Sequence, residues 1–242
     1  MTAEKRQFLI DARQKLLDEI IVHPLYHKFV EYIDEYDRNL DHYLRYCMTF
    51  AEMLKSVDIL QTAVIRETGR PCPITRFYAH LGYDACDSGG DLRYAIEEPG
   101  NSVDFMLSFE VMEHVKDQRE KTFSDIEIFN ETGVRAFAAE IARVLRPGGA
   151  LILTTPNPHS ALVLERWANF EPPMLYRPHV REYTIDEIQQ IFSNLKLEKY
   201  ITLDPFFGFN REPGRMEAQL AANGWSAENR GEMHFCVFRK PA

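Results

Sequence analysis

From about residue 58 to its end, the chain alternates short apolar runs with stretches of helical periodicity, and this alternation restricts the possible folds most. The runs cover residues 61–66, 83–87, 103–109, 150–155, 197–203 and 233–239. A strand covered on both faces reads as a near-continuous apolar run, and the helices between such strands supply the crossovers of a parallel sheet. The pattern predicts an α/β fold with helices on both faces of a mostly parallel sheet. One helix is expected to close over residues 136–145, because Arg146-Pro147-Gly148-Gly149 follows. Proline lacks the N–H that a continuing helix needs, and glycine adopts the left-handed conformation that ends one.

The first part of the chain has a different pattern. Residues 4–55 read as helical, with Phe8, Leu9, Ala12, Leu16, Ile20 and Ile21 on one apolar stripe. A break is expected at His23-Pro24, since the residue before a proline is pushed out of the helical region. The stretch 26–55 carries Phe29, Tyr32, Tyr36, Tyr43, Tyr46 and Phe50. Two readings of these rings stay open, packing onto the main domain or capping a pocket. The expected division is an N-terminal helical cap over 1–56 and a main domain over 57–242.

Composition narrows the partners. The 242 residues suffice for one decorated domain, and 45% hydrophobic residues suffice for its core. A net charge of −9 disfavours nucleic acid, which demands a basic surface to displace counterions. Cys47, Cys72, Cys86 and Cys236 form no C-x-x-C pair and no zinc pattern, so reduced thiols are expected. Residues 1–9 are polar, without the apolar core of a signal peptide, and no apolar run approaches the length of a membrane span. A soluble cytoplasmic protein is expected, with no nucleic-acid or membrane partner, and a homo-oligomer is left open.

Two blocks carry the strongest signal. The first is Val103-Asp104-Phe105-Met106-Leu107-Ser108-Phe109-Glu110-Val111-Met112-Glu113-His114-Val115. The second is Ala142-Arg143-Val144-Leu145-Arg146-Pro147-Gly148-Gly149-Ala150-Leu151-Ile152-Leu153-Thr154-Thr155-Pro156-Asn157. In this order they resemble the class I S-adenosylmethionine-dependent methyltransferases of the type 11/12 kind. That family has an aspartate-led fourth strand, a leu-glu-his turn, then arg-val-leu-lys-pro-gly-gly and a fifth strand. Residues 117–135 would be an insertion. The resemblance implies a Rossmann-like, mostly parallel seven-stranded sheet with an N-terminal helical extension, and S-adenosylmethionine as cofactor with S-adenosylhomocysteine as product.

The family's acidic, glycine-rich loop corresponds here to Val64-Ile65-Arg66-Glu67-Thr68-Gly69-Arg70-Pro71-Cys72-Pro73. Glu67 and Gly69 are retained, and the resemblance places them near the cofactor's amino-acid end. Pro71 and Pro73 depart from the pattern and remove two N–H donors. Asp87 lies where nucleotide-binding α/β folds place an acid for the ribose hydroxyls, a solvated loop aspartate being the alternative. Asp91 and Leu92 resemble the adenine-contacting pair. Phe109 and Glu110 end a predicted strand and are expected to face the methionine portion, with Glu110 alternatively capping the next helix.

Methyl transfer to a hydroxyl needs a proton acceptor, and imidazole titrates near neutrality. The catalytic candidates are His114 in the glu-his turn, His159 past the fifth strand, and His179 in a his-x-arg-glu-tyr-thr block. His234 reads as structural, and Thr184 with Glu187 as a helix cap. Residues 160–182, with Trp167, Phe170, Met174 and Tyr176, suit a lid, and 204–211 a second one. Glu113, His114, Asp125 and Glu131 show no recognisable ligand spacing, so no metal is assigned. The expected reaction is methyl transfer to a hydroxyl of a small polar acceptor, a saccharide or oligosaccharide by the lid's aromatic character. The competing expectation is a catalytically degenerate relative serving as a binding module, motivated by the altered loop. A nicotinamide oxidoreductase is disfavoured because no G-x-G-x-x-G turn is present to seat a pyrophosphate.

Overall fold

Parallel pairing of four crossover-linked strands sets the architecture of this computed structural model, which describes Gln7, Asp11 and residues 23–36, 40–118, 130–172, 178–205 and 214–242. The strands are β1 (Val64–Glu67), β2 (Asp84–Asp87), β3 (Val103–Phe109), β4 (Leu145–Pro156), β5 (Lys196–Leu203) and β6 (Met233–Arg239). They lie in the order β2-β1-β3-β4-β6-β5, with β6 antiparallel to both its neighbours. The helices are α1 (Pro24–Tyr36), α2 (Leu40–Ser56), α3 (Pro73–His80), α4 (Thr132–Val144), α5 (Ala161–Ala168), α6 (Ile185–Ile191) and α7 (Arg215–Ala222).

The sheet has six strands among the described residues, not the seven expected. The chain after β2 explains the difference. Gly89 and Gly90 adopt φ of +38° and +96°, and the Asp91 carbonyl accepts the amides of Tyr94 and Ala95 in a tight turn. A stretch bent this way cannot extend along β2. The edge also discourages pairing, because β2 is four residues long and points Asp84 and Asp87 into solvent.

Alternation within the central strands sorts the core into two layers. Phe105, Leu107 and Phe109 of β3, Ala150 and Ile152 of β4, and Phe235 and Val237 of β6 face the layer built by α1, α2 and α3. Met106, Leu151, Leu153, Cys236 and Phe238 face the layer built by α4 and α6. A period of two places successive side chains on opposite faces, so strands apolar at every position need helices on both sides. Helices α1 and α2 belong to the same core as the sheet. Phe29 and Phe50 stack against Phe77 of α3 with ring centroids 5.3 and 5.6 Å away. The expected break falls at Pro24, the first residue of α1, where its missing N–H costs nothing. The stripe from Phe8 to Ile21 lies outside the described residues. No helix among the described residues is long and apolar enough to cross a membrane.

The position of the crevice follows from the strand order. From β1 the chain passes outward to β2, then returns to the other side of β1 as β3. Ligands in open α/β sheets sit outside the carboxyl ends of the strands at such a reversal. Glu67, Asp87, Phe109 and Pro156 end the four strands concerned.

Candidate active site

Glu67 and Asp87 are register partners at the ends of β1 and β2, yet their environments differ. Glu67 is buried, and its Oε2 accepts the Cys72 amide at 2.7 Å, pinning the loop between β1 and α3. Burial raises its pKa, and the hydrogen bonds from Thr75 and Cys72 oppose that rise. Asp87 is exposed on the rim. The loop's proline departure is partly absorbed, because Pro73 is the first residue of α3, a position whose N–H has no partner within the helix. Gly69 holds φ of +85°. A side chain at Gly90 would bring its Cβ to 2.4 Å from the Ala95 carbonyl, so this turn admits only glycine. Ser88 between them has a buried Oγ without a hydrogen-bond partner among the described residues. Asp91 is gripped by Arg93, with Nη2 2.7 Å from Oδ2, and this pairing lowers its pKa. Leu92 packs against the α4–α6 layer.

The other half of the site lies beyond β3 and β4. The chain leaves β3 through Glu110, whose φ of +57° turns it sharply, into a short 3-10 turn, Met112–His114. The Glu113 carbonyl accepts the Val180 amide at 2.7 Å, which brings the segment carrying His179 alongside. Thr155 of β4 donates its hydroxyl to Glu113 Oε2 at 2.9 Å. The rings of His114 and His179 meet edge to face with centroids 4.8 Å apart. His179 donates from Nδ1 to Glu182 Oε1 at 2.9 Å, and His114 from Nδ1 to the Pro178 carbonyl at 3.4 Å. A carbonyl or carboxylate can only accept, so each neutral ring keeps Nε2 as its basic nitrogen.

Burial dominates the electrostatics here. It pushes the Glu113 carboxyl well above its ordinary range, and the Glu110 carboxylate beside it adds to the shift. Burial likewise raises Glu110, against the attraction of Arg45 from α2. Burial disfavours the charge on Arg45, but Glu110 and Tyr46 outweigh it and hold that guanidinium above its usual pKa. Burial, then neighbouring His179, lowers the pKa of His114, so this ring is neutral at neutral pH.

His114 and His179 therefore come together, with Glu110 in electrostatic reach. His159 stands apart. It is exposed, its amide bonded to Asn157 Oδ1 and its carbonyl to Arg230. His234 is buried in the sheet, as read from the sequence, and Thr184 with Glu187 forms the expected reciprocal cap of α6. Of the lid over 160–182, the part from Ala161 to Ala168 is helix α5, whereas 173–177 lie outside the described residues, as do 206–211 of the second lid. Three contributors escaped the sequence reading as site residues, namely Glu113, Glu182 and Arg45. Glu113 and Glu182 sit within the blocks that named the histidines. Nothing in the spacing of Arg45, on an aromatic helix, connects it to Glu110. Two surface cavities of about 380 and 430 Å³, beside Ser56 and beside Trp225, involve none of these groups.

Residues 65–200 match the family model for a methyltransferase domain, which is more than half of the chain. The chain belongs to this methyltransferase family. Among curated proteins none matches it. Among solved structures, an S-adenosylmethionine-dependent methyltransferase from Archaeoglobus fulgidus is 9% identical, covering 85% of this chain and all of its own, with a TM-score of 0.52. A Haloferax volcanii complex between the Trm112 methyltransferase activator and a methyltransferase is 12% identical over 88% of this chain and 98% of its own, at a TM-score of 0.50. Such identities bear on the fold alone. The cofactor of this methyltransferase is S-adenosylmethionine, and the residues fit that group. The glycine turn at Gly89 and Gly90, the orphaned Ser88 hydroxyl and the exposed Asp87 line one rim, and the pinned Glu67 loop lies beside it.

Proposed function

We propose that the protein transfers a methyl group to a hydroxyl of a small polar acceptor, with a saccharide as the leading class. The observation that carries this reading is the pair of facing imidazoles, His114 and His179, each fixed through Nδ1. S-adenosylmethionine, when bound, supplies an electrophilic methyl on a sulfonium, so the protein's task is to position a nucleophile and receive its proton. Asp87 would accept hydrogen bonds from the ribose hydroxyls, and Asp91 and Leu92 would border the adenine. Glu67 would act by holding the loop at Gly69, which receives the amino-acid end. Phe109 and Glu110 would border the methionine portion.

The acceptor would enter beside His114, whose side chain is 39% exposed, whereas that of His179 is 6% exposed. His114 Nε2 would take the hydroxyl proton, a role suited to a ring kept neutral by burial. Arg45 draws α2 into the same site, which supports a covering role for the N-terminal helices. His159, exposed on the rim, is proposed to contact the acceptor rather than take its proton.

The test is transfer of a labelled methyl to a panel of saccharides and other small hydroxyl compounds, with amines and thiols as controls. Transfer to a hydroxyl compound, strongly reduced in His114→Ala at unchanged cofactor affinity, supports the reading. Transfer confined to amines or thiols, or full turnover in His114→Ala, refutes it. Absence of transfer to any of them by protein that binds S-adenosylmethionine points to the binding-module alternative.

A further inference from the structure

Three ligand-type atoms converge within the site. Glu113 Oε1 lies 3.9 Å from His114 Nε2 and 4.0 Å from His179 Nε2. One ligand atom from each of the three residues falls within 4.8 Å of the others. The centre of such a triangle is about 2.5 Å from each corner, a few tenths of an ångström beyond the ~2.0–2.2 Å of zinc bonded to imidazole or carboxylate. Small side-chain movements close that gap.

The state of Glu113 supplies a second, independent observation. Its side chain is fully buried, and Oε1 has no hydrogen-bond partner among the described residues. The other oxygen, Oε2, is held by Thr155, so the carboxylate is fixed with Oε1 turned toward the two imidazoles. A buried carboxylate oxygen with no donor is costly, and a cation is one of the few groups that removes the cost. The outer contacts agree. Metal-binding histidines usually donate their second ring N–H to a carboxylate or a carbonyl, which fixes the tautomer and aims the ligating nitrogen. His179 does this to Glu182, and His114 to the Pro178 carbonyl.

We propose that Glu113, His114 and His179 form a binding site for a divalent transition-metal ion, zinc by its ligand set, with Glu182 and the Pro178 carbonyl orienting the imidazoles. Two imidazole nitrogens and one carboxylate oxygen suit this class of ion better than magnesium or calcium, which favour oxygen shells. Three protein ligands leave a position for an oxygen ligand, either water or an acceptor hydroxyl, on the side where His114 is exposed. The inference deepens the proposed function and rests on it only for the acceptor's part in that position. With the ion bound, both Nε2 atoms would be ligands and could not take the hydroxyl proton; the ion would lower the pKa of a hydroxyl in the fourth position, and its proton would pass to solvent water on the exposed side of His114.

The experiment is a titration of the chelator-treated full chain with Co²⁺, followed by visible absorption, with Zn²⁺ then added to displace it. One Co²⁺ per chain is expected, displaced by Zn²⁺. Glu113→Gln and His179→Ala should each weaken binding at least about a hundredfold, and Glu182→Gln by ~10–100-fold, as loss of a ligand-orienting group does. Should the buried variants fail to fold by circular dichroism, His114→Ala decides, because its ring lies at the surface. No stoichiometric uptake by folded wild-type protein, or equal uptake by wild type and every folded variant, overturns the site. The readout is independent of turnover. Metal binding without methyl transfer counts against the proposed reaction alone, and transfer without metal binding counts against the metal site alone.

Discussion

Acidification tests the packing that supports the site through His234. The ring is 2% exposed in β6. Its Nε2 donates to the Tyr183 carbonyl at 3.1 Å, and its Nδ1 accepts the Tyr200 hydroxyl at 3.2 Å, a pattern that only the neutral ring completes. Burial lowers its pKa from 6.5 to about 4. A histidine whose folded pKa is depressed binds more protons in the unfolded chain, so its contribution is complete above pH 6.5 and is lost as pH falls towards 4. At 1.36 kcal/mol per pH unit, the loss over that window is about 3 kcal/mol. His234→Gln keeps a donor for Tyr183 and abolishes the titration. Denaturant midpoints for both proteins at several values between pH 7 and pH 4 cancel the contributions of all other groups. Wild type should fall by about 3 kcal/mol relative to the variant. Parallel stability curves would show that the ring is not held neutral by the fold.

The remaining predictions concern the cofactor rim and one helix end. Asp87→Ala should weaken S-adenosylhomocysteine binding roughly 10–100-fold in calorimetry, the equivalent of one or two charge-assisted hydrogen bonds, while leaving the melting temperature nearly unchanged because the side chain is exposed. Gly90→Ala should cost about 2 kcal/mol or more, since φ is +96° and the new Cβ would lie 2.4 Å from a backbone oxygen, and a melt unchanged from wild type would contradict that geometry. Thr184→Ala removes one half of the reciprocal cap of α6 and should lower stability by about 1 kcal/mol, read as a melting temperature about 2–4 °C lower.

How much of this was legible beforehand depends on the range of the interaction. The strands at 103–109 and 233–239 fell where the apolar runs placed them, because a strand covered on both faces shows its burial in its own residues. The first strand began at Val64 rather than residue 61, since Gln61 and Thr62 are exposed and form no ladder. The Thr184 cap is written in four consecutive residues and was readable for that reason. The turn after β2, where only six strands pair among the described residues, was less visible, because the bending of Gly89 and Gly90 is not fixed by composition alone. Arg45 was invisible. Its partner Glu110 is 65 positions away, and only the docking of α2 onto the sheet brings them into electrostatic contact. Glu113 and Glu182 show an intermediate case. Each lay inside a recognised block, but a carboxylate near a turn or helix start has a ready structural explanation, and only burial without a full set of donors distinguishes Glu113 from one.

The charge balance at the end of β3 then constrains what this edge is for. Two carboxyls, Glu110 and Glu113, are buried side by side, and burial raises both of their pKa values. A site serving stability alone would exclude such a pair, since an apolar replacement avoids the desolvation cost. Arg45 compensates for part of it, chiefly by facing Glu110. Among the described residues the Glu113 side chain has one hydrogen bond, from Thr155, and an unpartnered oxygen beside two imidazoles. Meanwhile Glu182 and the Pro178 carbonyl both engage the far side of those imidazoles. Three separate segments, the turn after β3, the end of β4 and the stretch before α6, are thus clasped around one cluster whose buried carboxyl oxygens are incompletely paired among the described residues. Perturbed, converging groups at a strand-order reversal mark a functional site more often than a structural one. That inference singles out Glu113, rather than the histidines first read from the sequence, as the residue around which the site is organised.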